Sequence, residues 1–200
     1  MKILSLSTLF PTSTMPNHGV FVKNRLCAMA SISGVDLTVI NPIPTSFVHK
    51  LLPNYKKQQS SSLISNDENL GIVEHPRYFS LPGVLKDKEH IGLIRGVKKR
   101  LNELHSLKKF EHIDIHWAYP DLLLGIELAK EWGITCSVTL RGMETFYISD
   151  KDNRTNLIAD ALKKTDCVIS LSEEMSIYAD KIAGTKNKTK VITNGVDTSL

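Results

Sequence analysis

The 200-residue sequence predicts an α/β fold: a Rossmann-like, doubly wound parallel sheet with helices on both faces. Short apolar, β-branched segments alternate with longer segments of helical periodicity, and this alternation implies right-handed parallel crossovers. The hydrophobic fraction of 42% and the charged fraction of 23% are close to globular averages and argue against disorder. A chain of this size buries roughly 70% of the surface that its unfolded form exposes, so a large core is expected.

The first half of the chain contains apolar segments separated by turn-forming residues. The predicted elements are strand 2–9, helix 21–32, strand 35–40, strand 71–79 and helix 90–110. The apolar stripe of the first helix is Phe21, Leu26, Met29 and Ile32. Residues 41–44, Asn-Pro-Ile-Pro, break the second strand, and residues 58–69 are polar and serine-rich, as in a mobile loop. Residues 81–85 are a candidate for an exposed apolar loop.

From residue 113 onward, strands and helices alternate regularly. The predicted elements are strand 113–117, helix 121–132, strand 134–140, helix 153–164, strand 167–171, helix 173–183 and strand 190–193. The sequence shows no internal repeat and no domain boundary before its last residues.

Composition and charge exclude several classes of protein. The net charge of +4 permits contact with anionic ligands or lipid headgroups but does not require nucleic acid. The odd number and wide spacing of Cys27, Cys136 and Cys167 argue against a disulfide framework or a zinc site, and favour a reducing compartment. No apolar run reaches the ~20 residues that a membrane span needs. Residues 1–10 fit a first strand better than a signal peptide.

A charged turn follows the strand at 134–140. Arg141, Gly142 and Glu144 stand where this strand should stop, and ligands of open α/β sheets bind beyond the carboxyl ends of the strands. Gly142 permits a sharp turn with close backbone approach. The turn is therefore a candidate site, and a plain strand-to-helix turn with an Arg–Glu surface pair is the alternative.

His116 falls at the carboxyl end of another strand, in the same row as Arg141. The run His-Trp-Ala-Tyr from 116 to 119, including Tyr119, concentrates hydrogen-bonding and stacking groups suited to a sugar. A histidine packed beneath a loop is the alternative. Asp121 could orient a hydroxyl group, or it could cap the following helix.

His18-Gly19 precedes the first helix, whose amino terminus offers free N–H groups to a phosphate. The alternative is that Gly19 only relieves a tight turn. A dinucleotide site is not expected, since no Gly-x-Gly-x-x-Gly follows the first strand and Asn41, not an acid, ends the second. The sequence shows no nucleophile triad and no metal-ligand cluster. The basic helix around Lys98, Lys99 and Arg100 could meet anionic lipid or could be a solvated face.

The ordered set of motifs resembles glycosyltransferase family 4, whose members have the GT-B fold. The segments that carry the resemblance are 10–11, 19–22 and 41–44 at the opening, 116–121 and 139–144 in the middle, and 191–197 near the end. The fold class that this resemblance implies is one half of a GT-B two-domain architecture. Residues 1–193 would form the amino-terminal acceptor-side domain, residues 194–200 would start the interdomain linker, and the carboxyl-terminal donor-binding domain would be absent.

The resemblance implies a retaining glycosyltransferase of the hexosyltransferase type. Such an enzyme moves a sugar from a nucleotide-sugar donor to a glycan or lipid-linked glycan acceptor and needs no metal or other cofactor. Surface or exopolysaccharide synthesis in the cytoplasm, with peripheral contact to the inner face of the membrane, is the implied setting. Because the second domain supplies most of the donor pocket, the 200-residue chain alone is expected to be inactive. The alternatives are a non-catalytic sugar- or nucleotide-binding module, a subunit that needs a separate donor-domain partner, and a nicotinamide-dependent enzyme.

The resemblance also implies the site residues. The catalytic candidates are Arg141 and His116, and the substrate-binding candidates are His18, Gly19, Tyr119, Asp121, Gly142, Glu144 and Asn194. Arg141 stands where many members have His, Glu144 where Asp is frequent, and Leu122 where Gly is often found. Arg141 cannot serve as a general base because it stays protonated, but its planar fork could steady a leaving phosphate or a sugar hydroxyl group.

Overall fold

The computed structural model describes residues 1–48, 60–142 and 153–195. The strands are β1 Lys2–Leu6, β2 Asp36–Ile40, β3 Ile43–Thr45, β4 Ile64–Asp67, β5 Gly71–Glu74, β6 Arg77–Phe79, β7 His112–Ile115, β8 Thr135–Thr139, β9 Cys167–Ser170 and β10 Thr189–Val191. The α-helices are α1 Val20–Ala30, α2 Glu89–Lys108, α3 Asp121–Trp132, α4 Arg154–Lys164 and α5 Glu173–Ala183. Short 3₁₀ turns at Lys86–Lys88 and Lys186–Lys188 precede α2 and β10.

Eight of these strands form one sheet in the order β10-β9-β8-β7-β1-β2-β5-β4. All neighbours are parallel except β4 and β5, which are antiparallel. The chain builds outward from β1 on one side and then returns to β7 on the other, so a switch in strand order lies beside β1. The carboxyl ends of β1, β7 and β8 therefore meet at one edge of the sheet.

Two apolar clusters cover the two faces of the sheet. The larger cluster packs α2, α3, α4 and α5 against one face, with Leu6 and Ile115 of the central strands at its middle. The smaller cluster packs Val22 and Leu26 of α1 against Val39 of β2 on the opposite face. Full burial of a side chain such as Leu26 contributes about 1.5–3 kcal/mol. Helices on both faces of a mostly parallel sheet confirm the predicted fold class.

The predicted helices 121–132 and 173–183 have the bounds of α3 and α5, and the other helices agree within two residues. Strand one is shorter than the predicted 2–9 because a local side-chain turn ends it at Leu6. Leu9 N donates to Ser7 Oγ (3.1 Å), and Ser7 Oγ donates to Leu9 O (3.0 Å), so residues 7–9 turn away from the sheet.

The prediction for residues 41–79 was wrong in two places. Segment 41–44 does end β2, at Ile40, and its last residues belong to Ile43–Thr45, which pairs in parallel with Arg77–Phe79 in a separate two-stranded sheet. The predicted single strand 71–79 is two strands in different sheets. Part of the predicted loop 58–69 is β4, which pairs with β5 through a turn where Asp67 Oδ1 accepts from the backbone N–H groups of Asn69 and Leu70.

Candidate functional site

Arg141 is the meeting point of three distant parts of the chain. It follows β8, and its Nη2 donates to Nδ1 of His116, which follows β7, over 2.8 Å. Nη1 donates to Oδ1 of Asn194, beyond β10, over 3.1 Å. The ring centroid of Phe21 in α1 lies 5.0 Å from the guanidinium carbon, within the range of a cation–π contact. The structure thus brings together the predicted residues Arg141, His116 and Asn194.

The contact with Arg141 fixes the tautomer of His116. A guanidinium group only donates hydrogen bonds, so Nδ1 of His116 is the acceptor and the ring proton lies on Nε2. Nε2 lies 2.7 Å from Oδ2 of Asp114, and the His116 side chain is fully buried. His116 therefore links Arg141, through a hydrogen bond at Nδ1, to a buried carboxylate that lies close to Nε2.

Asp114 is held ionised inside the fold. Burial acts to raise the pKa of Asp114, but the adjacent His116 ring and the Arg25 guanidinium lower the pKa to about 2. Ser137 Oγ, from the paired position on β8, lies 3.4 Å from Asp114 Oδ1. Sequence reasoning missed Asp114 as a functional residue, although a carboxylate inside an apolar strand was the available signal.

Gly19 lets the loop between β1 and α1 fold back on itself. Its φ of 72° is in the left-handed region, and a Cβ there would lie 2.6 Å from the carbonyl carbon and oxygen of Leu9. No larger residue fits this position without displacing the loop. His18, directly before it, is partly buried. Burial lowers the pKa of His18 more than its backbone contact with Thr8 raises it.

Asp121 ties this loop to α3. Its Oδ2 accepts from Thr8 N (2.7 Å) and Thr8 Oγ1 (3.1 Å), while its buried Oδ1 has no hydrogen-bond partner in the part of the chain that the structure describes. Burial raises the pKa of Asp121 to about 8, against the lowering effect of the Thr8 hydrogen bonds. Asp121 does not cap α3, because Pro120 is the N-cap residue and no side chain bonds there.

Tyr119 anchors a neighbouring segment. Its hydroxyl group donates to the carbonyl oxygen of Lys86, and His90 Nδ1 lies 3.2 Å from the Tyr119 hydroxyl oxygen. The peptide bond between Tyr119 and Pro120 is cis. Thr8, His18, Trp117 and Tyr119 all line a cleft of about 360 Å³ at this edge of the sheet. The predicted residues His18 and Tyr119 therefore share a cleft with Thr8, the partner of Asp121, whereas Phe21 and Asn194 line a separate cavity of about 740 Å³.

Gly142 has a φ of 93°, a conformation that side chains rarely adopt, so the predicted turn requires glycine. Glu144 lies outside the described residues, and its predicted role stays a prediction. Phe21 was expected in the apolar stripe of the first helix, but it is exposed and faces Arg141. Thr8 was also missed, since its link to Asp121 spans 113 positions that no local pattern connects.

Within residues 1–48, 60–142 and 153–195, no group of three or more His, Cys, Asp and Glu side chains is arranged to hold a metal ion. In the same ranges, no helix combines the length and apolar character needed to cross a membrane.

Residues 24–200 match the model of the family described as Glycosyltransferase Family 4. A curated relative, the putative teichuronic acid biosynthesis glycosyltransferase TuaC of Bacillus subtilis (strain 168), is 24% identical over 188 residues, which cover 92% of this chain and 47% of the relative. The chain thus spans about half the length of this relative.

Two solved structures have a similar fold. The Anabaena protein Alr3699/HepE in complex with UDP-glucose has a TM-score of 0.62 at 14% identity, covering 98% of this chain and 44% of that chain. Glycyrrhiza uralensis UGT73P12, complexed with glycyrrhetinic acid 3-O-monoglucuronide, has a TM-score of 0.55 at 14% identity, covering 98% and 48%. At these identities the likeness concerns the fold alone, and it agrees with the predicted Rossmann-like half of a GT-B architecture.

Proposed function

The chain belongs to Glycosyltransferase Family 4, and on this premise we propose that it forms the acceptor-side wall of the active-site cleft of a retaining glycosyltransferase. The convergence of His116, Asn194 and Phe21 on Arg141, at the carboxyl ends of the strands, is the observation that carries the proposal. In this proposal residues 1–193 are the acceptor-side domain and residues 194–200 begin a linker to a donor-binding domain.

Arg141 is proposed as the catalytic cation. Its guanidinium group is oriented from three sides before any substrate arrives, so little reorganisation would be needed during the reaction. Loss of a nucleoside diphosphate develops negative charge on the leaving oxygen, and a fixed planar cation stabilises that charge through directed N–H groups.

His116 is proposed as a positioning residue that acts through Arg141. It is fully buried and contacts Arg141 with one ring nitrogen and Asp114 with the other. A substrate would therefore meet Arg141 and not the imidazole ring. The buried carboxylate of Asp114 lies at the base of this chain of contacts and balances the cation above it.

The proposed donor is a nucleotide-sugar that carries a hexose, and the acceptor is a glycan or a lipid-linked glycan. Alr3699/HepE, a fold neighbour, binds UDP-glucose, and this supports a nucleotide-sugar donor. The name of the relative TuaC, putative teichuronic acid biosynthesis glycosyltransferase, supports a role in polysaccharide synthesis. We propose that the product is a cell-surface polysaccharide made on the cytoplasmic side of the membrane. We also propose substrate-binding roles for the residues that lie around this cleft or in the family motifs. They are His18, Gly19, Tyr119, Asp121, Gly142, Glu144 and Asn194.

We expect transfer to need no metal ion or organic cofactor, and to require the donor-binding domain. Transfer by the intact protein should then be unchanged by a chelator such as EDTA, and the 200-residue chain alone should transfer no sugar. Loss of activity on chelation, restored by a divalent ion, would contradict the metal-free mechanism. Turnover by the isolated chain above ~1 per second, a rate typical of enzymes, would contradict the need for a second domain.

The decisive experiment compares Arg141→Ala with Lys99→Ala in the intact protein. Removing a preorganised charge-stabilising group typically costs 10²–10³-fold in kcat, so Arg141→Ala should lose about that much with little change in Tm. Lys99 is an exposed cation on α2, outside the site, and its removal should leave kcat unchanged. Normal turnover of Arg141→Ala with a large loss of Tm would show that Arg141 is structural. Tight donor binding without transfer would favour a binding module.

A further inference from the structure

The ladder between β1 and β2 lacks a backbone donor where the two strands end. Ser7 N donates to Ile40 O over 3.1 Å, which continues the parallel pairing one residue beyond Leu6. In this pattern the carbonyl oxygen of Ser7 would next accept from the backbone of residue 42. Residue 42 is proline, which has no N–H group. The backbone of β2 therefore cannot hold the carbonyl group of Ser7.

The side chain of Asn41 supplies the missing donor. Its Nδ2 donates to the carbonyl oxygen of Ser7 over 2.8 Å, and both residues are at most 2% exposed. The backbone N–H of Asn41 is engaged on the other side of β2, where it donates to Glu74 O (2.8 Å). An apolar residue at position 41 would leave the buried carbonyl group of Ser7 without this donor.

Two further side chains fix the orientation of the Asn41 amide group. His75 Nδ1 lies 2.9 Å from Asn41 Oδ1, and His75 Nε2 lies 2.8 Å from Ser65 Oγ in β4. Since Nδ2 of Asn41 faces a carbonyl oxygen, Oδ1 is the acceptor, the His75 proton lies on Nδ1, and Ser65 donates to Nε2. Burial and the Arg77 charge lower the pKa of His75, which favours the neutral ring that this arrangement needs.

The residues that follow Ser7 form part of the cleft wall. Thr8 and Leu9, in the turn at residues 7–9, line the cleft of about 360 Å³. Gly19 packs against the carbonyl group of Leu9 so closely that no Cβ fits between them, so a shift of the turn would displace the start of α1 as well. Asp121 holds Thr8 on the α3 side, and the contact at Ser7 decides the position of the turn on the β2 side.

We propose that Asn41 is a positioning residue for sugar transfer. It acts through the carbonyl group of Ser7: by holding this group it places the turn at residues 7–9, and the cleft wall with it, before a substrate binds. His75 and Ser65 keep the amide group of Asn41 in the orientation that offers Nδ2 to Ser7. The effect on sugar transfer rests on the proposed function, whereas the effect on the turn does not.

Hydrogen exchange in the intact protein tests the effect on the turn. Asn41→Asp keeps the size of the side chain and an acceptor for His75, but an ionised carboxylate cannot donate to Ser7. The amides of residues 8–9 should then exchange about tenfold faster than in the parent protein, as expected for the loss of one buried hydrogen bond. Asn102→Asp is the matched control, because Asn102 joins two side chains of α3 through its amide group. In that variant exchange at residues 8–9 should stay within about twofold of the parent.

Sugar-transfer kinetics test the effect on function. Asn41→Asp should raise the KM for the acceptor about tenfold and change the KM for the donor less than about twofold, because the turn belongs to the proposed acceptor side. His75→Leu, which cannot donate to Asn41, should raise the acceptor KM about fivefold. His75→Asn keeps a donor near the position of Nδ1 and should stay within about twofold, as should Asn102→Asp. A variant that is only less stable would lower kcat through its active fraction, without a selective change in the acceptor KM.

Unchanged exchange at residues 8–9 in Asn41→Asp would overturn the proposal, and so would an equal change in Asn102→Asp. Faster exchange with an unchanged acceptor KM would show that the contact is only structural, and would overturn the role in transfer. If thermal melts show that Asn41→Asp does not fold, the pair His75→Leu and His75→Asn tests the same contact. Absence of transfer by the parent protein, together with faster exchange in Asn41→Asp, would contradict the proposed function and support the hold of Asn41 on the turn.

Discussion

Asp114 and Asp121 are two buried aspartates, yet the fold shifts their pKa values in opposite directions. The pKa of Asp114 is lowered to about 2, and that of Asp121 is raised to about 8. Burial acts in the same direction on both carboxyl groups. The difference is the partner: Asp114 lies beside the His116 ring and feels the charge of Arg25, whereas Asp121 accepts hydrogen bonds from the N–H and hydroxyl groups of Thr8.

Asp114 and Asp121 therefore have different roles although they are the same residue type. The ionised Asp114 supports a cationic centre through His116 and Arg141. Asp121, whose pKa is raised by burial, joins the β1–α1 loop to α3 through its hydrogen bonds with Thr8. Hydrogen bonds from neutral groups did not suffice to keep a fully buried carboxyl group ionised, but a cation and an imidazole did.

The largest expected effect is that of Asp114→Ala. Removing one partner of a buried charged cluster leaves the other groups uncompensated, so the free energy of unfolding should fall by about 3–5 kcal/mol in urea titrations. Asp160→Ala is the matched control, because Asp160 pairs with Lys163 on the surface and should change stability by less than about 1 kcal/mol. A loss below ~1 kcal/mol for Asp114→Ala would break the comparison.

The acid limb of the stability profile tests the same carboxylate in the unaltered protein. The pKa of Asp114 is lower in the folded state than in the unfolded state, so its contribution is present above pH ~4 and is lost as pH falls toward 2. The expected loss is about 2 kcal/mol, and Asp114→Ala should lack this part of the pH dependence. An unchanged profile in the variant would show that other groups cause the acid transition.

Asp121→Asn sharpens the contrast at higher pH. The folded pKa of Asp121 is raised, so its contribution is full below pH ~4 and is lost as pH rises through about 8. Asparagine keeps an oxygen for the Thr8 donors and cannot ionise. The variant should therefore gain stability relative to the parent protein by at least about 1 kcal/mol between pH 5 and pH 8, measured by thermal melts across that range. A constant difference at all pH values would contradict a raised pKa.

The smallest expected effect is that of changing Phe21, whose ring contacts the Arg141 guanidinium group. Phe21→Leu removes the cation–π contact and keeps an apolar side chain. It should therefore lower the free energy of unfolding by about 0.5–1 kcal/mol and kcat only a few-fold. A double-mutant cycle with Arg141→Ala measures the coupling between the two residues. The effect of Phe21→Leu should vanish in the variant that lacks the cation. Additive effects of the two changes would show that Phe21 acts elsewhere.

The sequence predicted the region from residue 112 onward well, because each strand there is followed by a helix of clear periodicity and pairs with strands in the regular parallel arrangement. The two-stranded sheet within residues 41–79 was not predicted, because the pairing of Ile43–Thr45 with Arg77–Phe79 joins distant segments and leaves no local signal. His75 shows the same difficulty: its ring contacts Asn41 Oδ1 (2.9 Å) and Ser65 Oγ (2.8 Å), in two separate segments.

The sequence predicted the part of the site that lies at the carboxyl ends of neighbouring strands. His116 and Arg141 follow neighbouring parallel strands, so their proximity could be expected, and they are in contact. The roles of Asp114 and Thr8 depend on burial and on contacts between remote positions, which the sequence does not display. The domain division at residue 193 and the role of Glu144 stay predictions.

The close approach of α2 to β6 has a consequence for protein engineering. Gly92 and Gly96 face backbone atoms of β6 at distances that no added methyl group can occupy. Even alanine at 92 or 96 would push the helix off the strand, so these two positions limit how α2 can be redesigned.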